Sequence, residues 1–200
     1  MRVTIPTKGV RLPDTESLAT LASLARNVRA QRARRQWTLD TLAARSGLSK
    51  GVVVALEQGR GNPNLATLIR LSDALGVSLT ALLEGGEHPA VRVSDRPALL
   101  WEGPAGGTGR LLDGTDSPSP VELWHWRLEP GERHDSEAHA PGTRELIHVY
   151  SGELVLTIGG QDVRVPAGSS ARMTADEPHG YGNPGATAVD FAGVVVPPAT

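Results

Sequence analysis

The sequence predicts a multidomain α and β protein, a helical N-terminal unit joined to an all-β C-terminal unit, and three observations predict it. Apolar residues recur with helical spacing from about residue 17 to 84. After a stretch rich in Gly, Glu and Pro they alternate in short runs separated by turn residues, from about residue 95 onward. Charge divides at the same place: residues 1–84 carry twelve Lys and Arg against six Asp and Glu, residues 85–200 eight against sixteen, so that +6 and −8 make up the formal net charge of −2. The 200 residues are enough for one large or two small domains. A basic half fits a polyanion such as DNA. An acidic half is repelled by phosphate and is expected to do something else. The absence of cysteine excludes disulfides and thiolate metal sites and fits a reducing compartment. The N-terminus lacks the apolar core of a signal peptide, and no run approaches the roughly 18 apolar residues that span a bilayer. The expectation is a cytoplasmic protein with no membrane partner.

Residues 1–16 mix Pro6, Gly9 and Pro13 with Arg2, Lys8 and Arg11 and are expected to form a flexible arm. Leu18, Leu21, Ala22, Ala25 and Val28 place a first helix from about Ser17, its cap, to Ala33. Arg26, Arg29, Arg32, Arg34 and Arg35 cluster there, and some of them are expected to face phosphate. Trp37 is expected in the core between the first two helices. Thr38 can cap a second helix whose Leu39, Leu42 and Ala43 share one face. Gly47 suits a left-handed turn, Leu48 can bury itself beneath the corner, and Ser49 can cap a third helix in which Val52, Val53 and Leu56 recur. Two short helices joined by such a turn have the layout of a DNA-binding helix-turn-helix, whose second helix enters the major groove. Gly59 to Asn64 break the pattern. Leu65, Leu68, Ile69, Leu71 and Leu75 make a fourth helix closed by Gly76, and Leu79, Leu82 and Leu83 a fifth.

Trp37 to Ser49, WTLDTLAARSGLS, and Leu56 to Leu83, LEQGRGNPNLATLIRLSDALGVSLTALL, resemble the lambda-repressor-like (XRE) family of transcription regulators, over about residues 18–84. The resemblance implies that Lys50, Gly51, Val54 and Ala55 read bases, that Ser49, Gln58, Arg60 and Asn62 lie near phosphates, and that Thr38 belongs to the same DNA-facing set. Gly51 and Ala55 depart from the polar residues often found at these positions. Lys50 could reach guanine O6 and N7, and Val54 a thymine methyl. So few polar readers leave more of the recognition to DNA shape and phosphate contacts.

Residues 85–94 read as a linker. Beyond it, strands are expected at Val91 to Val93, Ala98 to Trp101, Gly109 to Leu112, Val121 to Leu128, Glu145 to Tyr150, Glu153 to Ile158, Gln161 to Val165, Ser170 to Met173 and Ala188 to Val196, with a loop from Asp113 to Pro120. Short strands of this kind argue for a sandwich or small barrel. Pro130-Gly131, Glu137-Ala138-His139, Glu145 and Gly152, followed by Gly160, Pro166-Ala167-Gly168, His179 and Asn183, resemble the cupin fold, a double-stranded β-helix barrel, over about residues 95–196. In metal-binding cupins these motifs supply three His and one Glu. Here Glu137 stands where the first His is expected, while His139, Glu145 and His179 are in place; Ser169 replaces an Asp.

On extended backbone Glu137 and His139 face one side, and Glu145, Ile147 and Val149 share a face that excludes His148. Glu137, His139, Glu145 and His179 are therefore the candidate metal ligands, a set suited to Zn, Mn, Fe or Ni, and the alternative is a metal-free barrel. His134 is expected in a solvated loop, and the alternative is a spare ligand, since it is close in sequence to Glu137. Trp124 and Trp126 share the face opposite His125, and either face could line the barrel. His125, Ile147, Val149 and Tyr181 are the candidate effector-pocket residues. The preferred reading is a homodimeric regulator, not an enzyme, that binds a double-stranded DNA operator and senses a small-molecule effector through residues 95–200. The alternatives are a DNA-tethered metal-dependent cupin enzyme of dioxygenase, isomerase or decarboxylase type, and a cupin that serves only for dimerisation.

Overall fold

A computed structural model describes residues 14–84, 91, 93–95, 97–115 and 120–198, with side chains in the first helix from residue 20 onward. The basic residues of the expected arm (Arg2, Lys8 and Arg11), most of the expected linker, and residues 116–119 lie outside the described residues. Five helices come first: α1 (Asp14–Arg34), α2 (Leu39–Ser46), α3 (Lys50–Glu57), α4 (Leu65–Leu75) and α5 (Leu79–Leu83). Helix α1 starts at Asp14, so Ser17 lies inside it and does not cap it. The next four helices each begin on a residue whose side-chain oxygen accepts a free N–H of the first turn. Thr38 accepts from Thr41, Ser49 from Val52, Asn64 from Thr67 and Ser78 from Ala81. At Gly47 the chain takes φ 64°, the left-handed corner between α2 and α3 that a side chain would strain.

Leu24, Val28, Leu42, Val53, Leu71 and Leu79 fill the helical core. Two of the clustered arginines turn inward, not toward solvent. Arg32 donates from Nε and Nη2 to both carboxylate oxygens of Glu57, at 2.6 and 2.7 Å, and from Nη1 to the Trp37 carbonyl at 2.8 Å. Arg35 donates to the Leu75 carbonyl. Arg26, Arg29 and Arg34 remain exposed. Trp37 is half-buried against the core, with the Arg45 guanidinium 4.5 Å from its ring. Val52 was expected on the buried face of α3 but is 40% exposed; Val53 and Leu56 alone carry that face.

Ten strands follow: β1 (Ala98–Glu102), β2 (Thr108–Thr115), β3 (Val121–Leu128), β4 (Arg133–Ser136), β5 (Arg144–Ser151), β6 (Glu153–Ile158), β7 (Gln161–Pro166), β8 (Ser170–Thr174), β9 (His179–Gly182) and β10 (Val189–Val196). They form a six-stranded sheet in the order β1-β2-β3-β10-β5-β8 and a four-stranded sheet in the order β4-β9-β6-β7, with antiparallel pairing throughout. Two of these strands, β4 and β9, were not expected. Val91 and Val93, expected in a strand, are exposed and lie outside both sheets, and the expected loop from Asp113 is strand as far as Thr115.

Alternation fixes which side chains enter the space between the sheets. On β3 these are Glu122, Trp124, Trp126 and Leu128; on β5 they are Glu145, Ile147 and Val149. Trp126 stacks on Phe191 of its own sheet at 6.2 Å and on Tyr181 of the other sheet at 5.7 Å, so the aromatic rings join the two layers.

One contact between the two units joins α5 to the strands β2 and β3 of the six-stranded sheet. The buried Glu122 carboxylate accepts the Leu79 N–H at 2.7 Å with one oxygen and the Trp124 indole N–H at 3.1 Å with the other. Thr80 packs at Gly114, where a β-carbon would stand 2.7 Å from the Thr80 hydroxyl. Among the described residues no helix is long and apolar enough to cross a membrane.

At the end of α1, Gln36 holds a φ of 56°, a conformation that disfavours a β-carbon. Gln36→Gly should therefore stabilise the fold by about 1 kcal/mol, read as a higher midpoint of thermal unfolding.

Candidate functional site

Helix α3 offers its outer face to solvent. Lys50, Gly51 and Val52 are exposed, while Val54 and Ala55 are half-buried. Lys50 Nζ lies 2.9 Å from Asp40 Oδ2, with both side chains more than half exposed. Such a surface pair is weak, which leaves the ammonium available to a stronger anion. Thr38 and Ser49 spend their hydroxyls on helix caps at the end of the molecule that carries Lys50. Arg60 donates to Gln58, and both are exposed, as is Asn62. Val52 was missed as a candidate for this face because its spacing suited the core.

The second site lies between the sheets, a narrow pocket that is partly open to solvent. At its polar end His139, Glu145 and His179 bring one donor atom each within 4.8 Å of one another. Both Nε2 atoms lie 3.3 Å from Glu145 Oε1. The His179 Nδ1 is 2.8 Å from the Glu177 carbonyl, which makes Nδ1 the protonated nitrogen and leaves Nε2 facing Glu145. There Nε2 is buried without a hydrogen-bond partner. Tyr181 donates its hydroxyl to Glu145 Oε2.

Burial by itself would raise the Glu145 pKa, but the close approach of the two imidazoles outweighs it and holds the carboxyl at about 2. Burial likewise opposes a charge on His139, yet the hydrogen bond and charge of Glu145 keep its pKa above the ordinary value. Burial and the adjacent Glu145 charge push Tyr181 far up, so it stays a donor.

Three expected site residues are placed differently. Glu137 is not with the triad: β4 ends at Ser136, the backbone leaves its extended course, and the Glu137 carboxylate is gripped by Arg70 at 2.7 and 2.9 Å. The two-residue alternation that would have aligned it with His139 therefore does not apply. His125 points out of the sheet on the face opposite the tryptophans and pairs with Asp190 at 3.4 Å, away from the cavity. Val149 is fully buried in the core and does not line the cavity. Ile147 and Tyr181 do line it.

His134, expected in solvent, sits on the unforeseen strand β4 and lines the cavity. Its ring is 4.7 Å from Trp126 and 6.1 Å from Tyr181. Burial lowers its pKa to about 4, so it is neutral near pH 7. Its place two residues before Ser136 was the available signal, had the strand been recognised. Glu122 was also missed, although its position beside Trp124 in an alternating run puts it on the inner face.

Comparison with known proteins matches a stretch within the helical part and a stretch within the β part of the chain. A family described as helix-turn-helix matches residues 28–82, and one described as a cupin domain matches residues 124–196. Over 174 residues the chain is 25% identical to the HTH-type transcriptional regulator SutR of Escherichia coli (strain K12), covering 86% of this chain and 93% of that protein. Over 82 residues it is 35% identical to a Neisseria hypothetical transcription factor of Neisseria meningitidis serogroup B (strain ATCC BAA-335 / MC58), covering 41% of this chain and 73% of that one. The crystal structure of an HTH_3 family transcriptional regulator from Vibrio cholerae superposes with a TM-score of 0.74 at 24% identity, over 91% of this chain and 99% of that chain, and shares its fold.

Tyr181→Phe would leave Glu145 Oε2 buried without its donor. It should cost about 1–2 kcal/mol in chemical denaturation near pH 7 while leaving the near-ultraviolet signature of the folded protein in place.

Proposed function

Because this chain belongs to the XRE-type helix-turn-helix transcription regulators that carry a C-terminal cupin domain, we propose that it is a one-component sensor, in which the helical domain reads a DNA operator and the barrel binds a small-molecule effector that changes that reading. One observation carries this: an inner cavity whose walls include Trp124, Trp126, Tyr181 and Phe191 and whose polar end gathers His139, Glu145 and His179. Apolar walls with a few convergent polar groups are the usual form of a small-molecule site.

The triad fits a divalent transition metal. It offers two imidazoles and one carboxylate, and the buried His179 Nε2, 3.3 Å from Glu145 Oε1, makes no hydrogen bond. When bound, the metal would supply a Lewis-acid anchor for an oxygen or nitrogen of the effector. The chain's own residues do the rest. Glu177 fixes the His179 tautomer, Tyr181 orients Glu145, and the aromatic wall selects for flat or apolar groups.

On the DNA side, Lys50, Gly51, Val54 and Ala55 face bases, and Thr38, Ser49, Gln58, Arg60 and Asn62 lie toward phosphates. One short helix reads too few bases, so the active form is a homodimer on a two-fold operator in the cytoplasm. The effector acts only if it binds the DNA-competent and incompetent arrangements with different affinity. The same triad also favours a second reading, a metal-dependent enzyme tethered to DNA.

Elemental analysis of protein purified without chelator should find about one metal per chain, lost in His139→Ala and in His179→Ala while the helical domain stays folded; unchanged metal content in both variants would remove the triad as the site. Turnover by the metal-loaded protein would favour the enzyme. Lys50→Ala should weaken specific binding by ~1–3 kcal/mol and relax the preference at one base position. An equal loss on operator and on random DNA would make Lys50 a phosphate contact. A metabolite that stabilises the protein yet leaves operator affinity unchanged would rule out the coupling.

A further inference from the structure

The barrel does not close its own cavity. Leu65 and Ile69, four residues apart on α4, belong to the cavity's lining although they come from the DNA-binding domain. Next to Ile69 on the same helix, Arg70 grips Glu137, two residues before His139. Helix α4 therefore lies over the polar end of the pocket.

Among the described residues the helical domain is tied there on two sides, and the ties differ in kind. On the α5 side the tie is buried. Glu122 is 9% exposed and accepts the Leu79 N–H, and Thr80 is packed at Gly114. On the α4 side the tie is the bidentate Arg70–Glu137 pair, whose side chains are 41% and 60% exposed. An ion pair so exposed contributes little and is screened by salt. A buried carboxylate with fixed donors resists separation far more. The junction is thus firm at α5 and weak at α4.

We propose that α4 is the lid of the effector pocket, with Leu65 and Ile69 as its inner face and Arg70–Glu137 as its latch, so that the partly open mouth of the pocket widens to admit or release a solute as the helical domain carries α4 away about the α5 anchor. The proposal rests on the barrel being the effector pocket. It makes Leu65 and Ile69 specificity residues for the ligand although they lie in the DNA-binding domain. It also gives the effector a direct hold on that domain. A ligand that fits beneath α4 favours the latched arrangement, and one that needs more room favours the open one. By linkage, whatever DNA does to the position of α4 it does equally to ligand affinity.

The chain has no cysteine, so a single Ile69→Cys substitution reports opening of the lid through its rate of labelling by a thiol reagent, with no ligand present. In the full-length protein, Arg70→Ala or Glu137→Ala should speed that labelling about fivefold, since an exposed pair shifts the equilibrium only modestly. The charge-swapped pair Arg70→Glu with Glu137→Arg should restore the slow rate. Salt at about 0.5 M should speed labelling with the native latch and leave the Arg70→Ala background unchanged. If Ile69→Cys does not fold, Ser136→Cys, on the barrel side of the same cavity, reads the same opening in the Arg70→Ala background. Equal rates with and without the latch would overturn the lid. So would an equal acceleration at Leu42→Cys, deep in the helical core, because the latch would then be stabilising the whole domain. Since no ligand takes part, either result leaves the sensor reading to be decided by its own metal and metabolite measurements.

Discussion

The buried carboxylate of Glu122 is the constraint on which the arrangement of this molecule depends. Burial raises its pKa and makes the ionised form costly. The two N–H groups that offset this cost come from different domains: the backbone of Leu79 in α5 and the indole of Trp124 in β3. A buried acceptor left without its donor costs its full desolvation, so the two donors must stay together. That fixes α5 against the barrel. Because α4 and α5 are joined only by Gly76 to Ser78, it also fixes where Leu65 and Ile69 meet the cavity. One side chain thus links the geometry of the DNA-binding domain to the shape of the pocket.

Inside the barrel the same physics is applied to Glu145, with the opposite outcome. There the carboxylate keeps its charge because two imidazoles and a phenol surround it, and its pKa falls to about 2 in spite of burial. Rings of Trp126, Tyr181 and Phe191 stack beside this polar end, and burial among them keeps His134 neutral. A dry wall around a few convergent donors and acceptors strengthens whatever electrostatic contact a ligand or cation makes there. Glu137, three residues beyond His134 and spent on a surface ion pair, shows how far a short change of backbone direction can move a carboxylate from one role to another.

Most of the helical domain was legible in the sequence. Thr38, Ser49 and Gly47 fix its corner by local chemistry alone: a side-chain oxygen for a free N–H, and a glycine for a left-handed turn. The long strands β3, β5, β6 and β10 were legible for a similar reason, since their alternation of apolar and polar residues is itself the sheet pattern. The strands β4 and β9, Arg133–Ser136 and His179–Gly182, were not legible. Four residues with no alternation carry no signal of their own, and they are extended only because they pair with each other and with β6. The error over His134 followed from missing β4, and the error over Glu137 from assuming that extended backbone continued past Ser136.

What the sequence determined by itself was therefore what is set within a few residues or by period: five helices, the caps Thr38 and Ser49, the corner at Gly47, and the two-residue alternation of strands such as β3 and β5. Only the tertiary structure decided the rest, because it depends on residues far apart in the chain meeting at a fixed distance. It turned Arg32 inward to Glu57, paired Arg70 with Glu137 across 67 positions, and set Leu79 on Glu122 across 43. Hydrophobic periodicity says which face of an element is buried, but not which element it is buried against. For this protein that second question decides what closes the cavity.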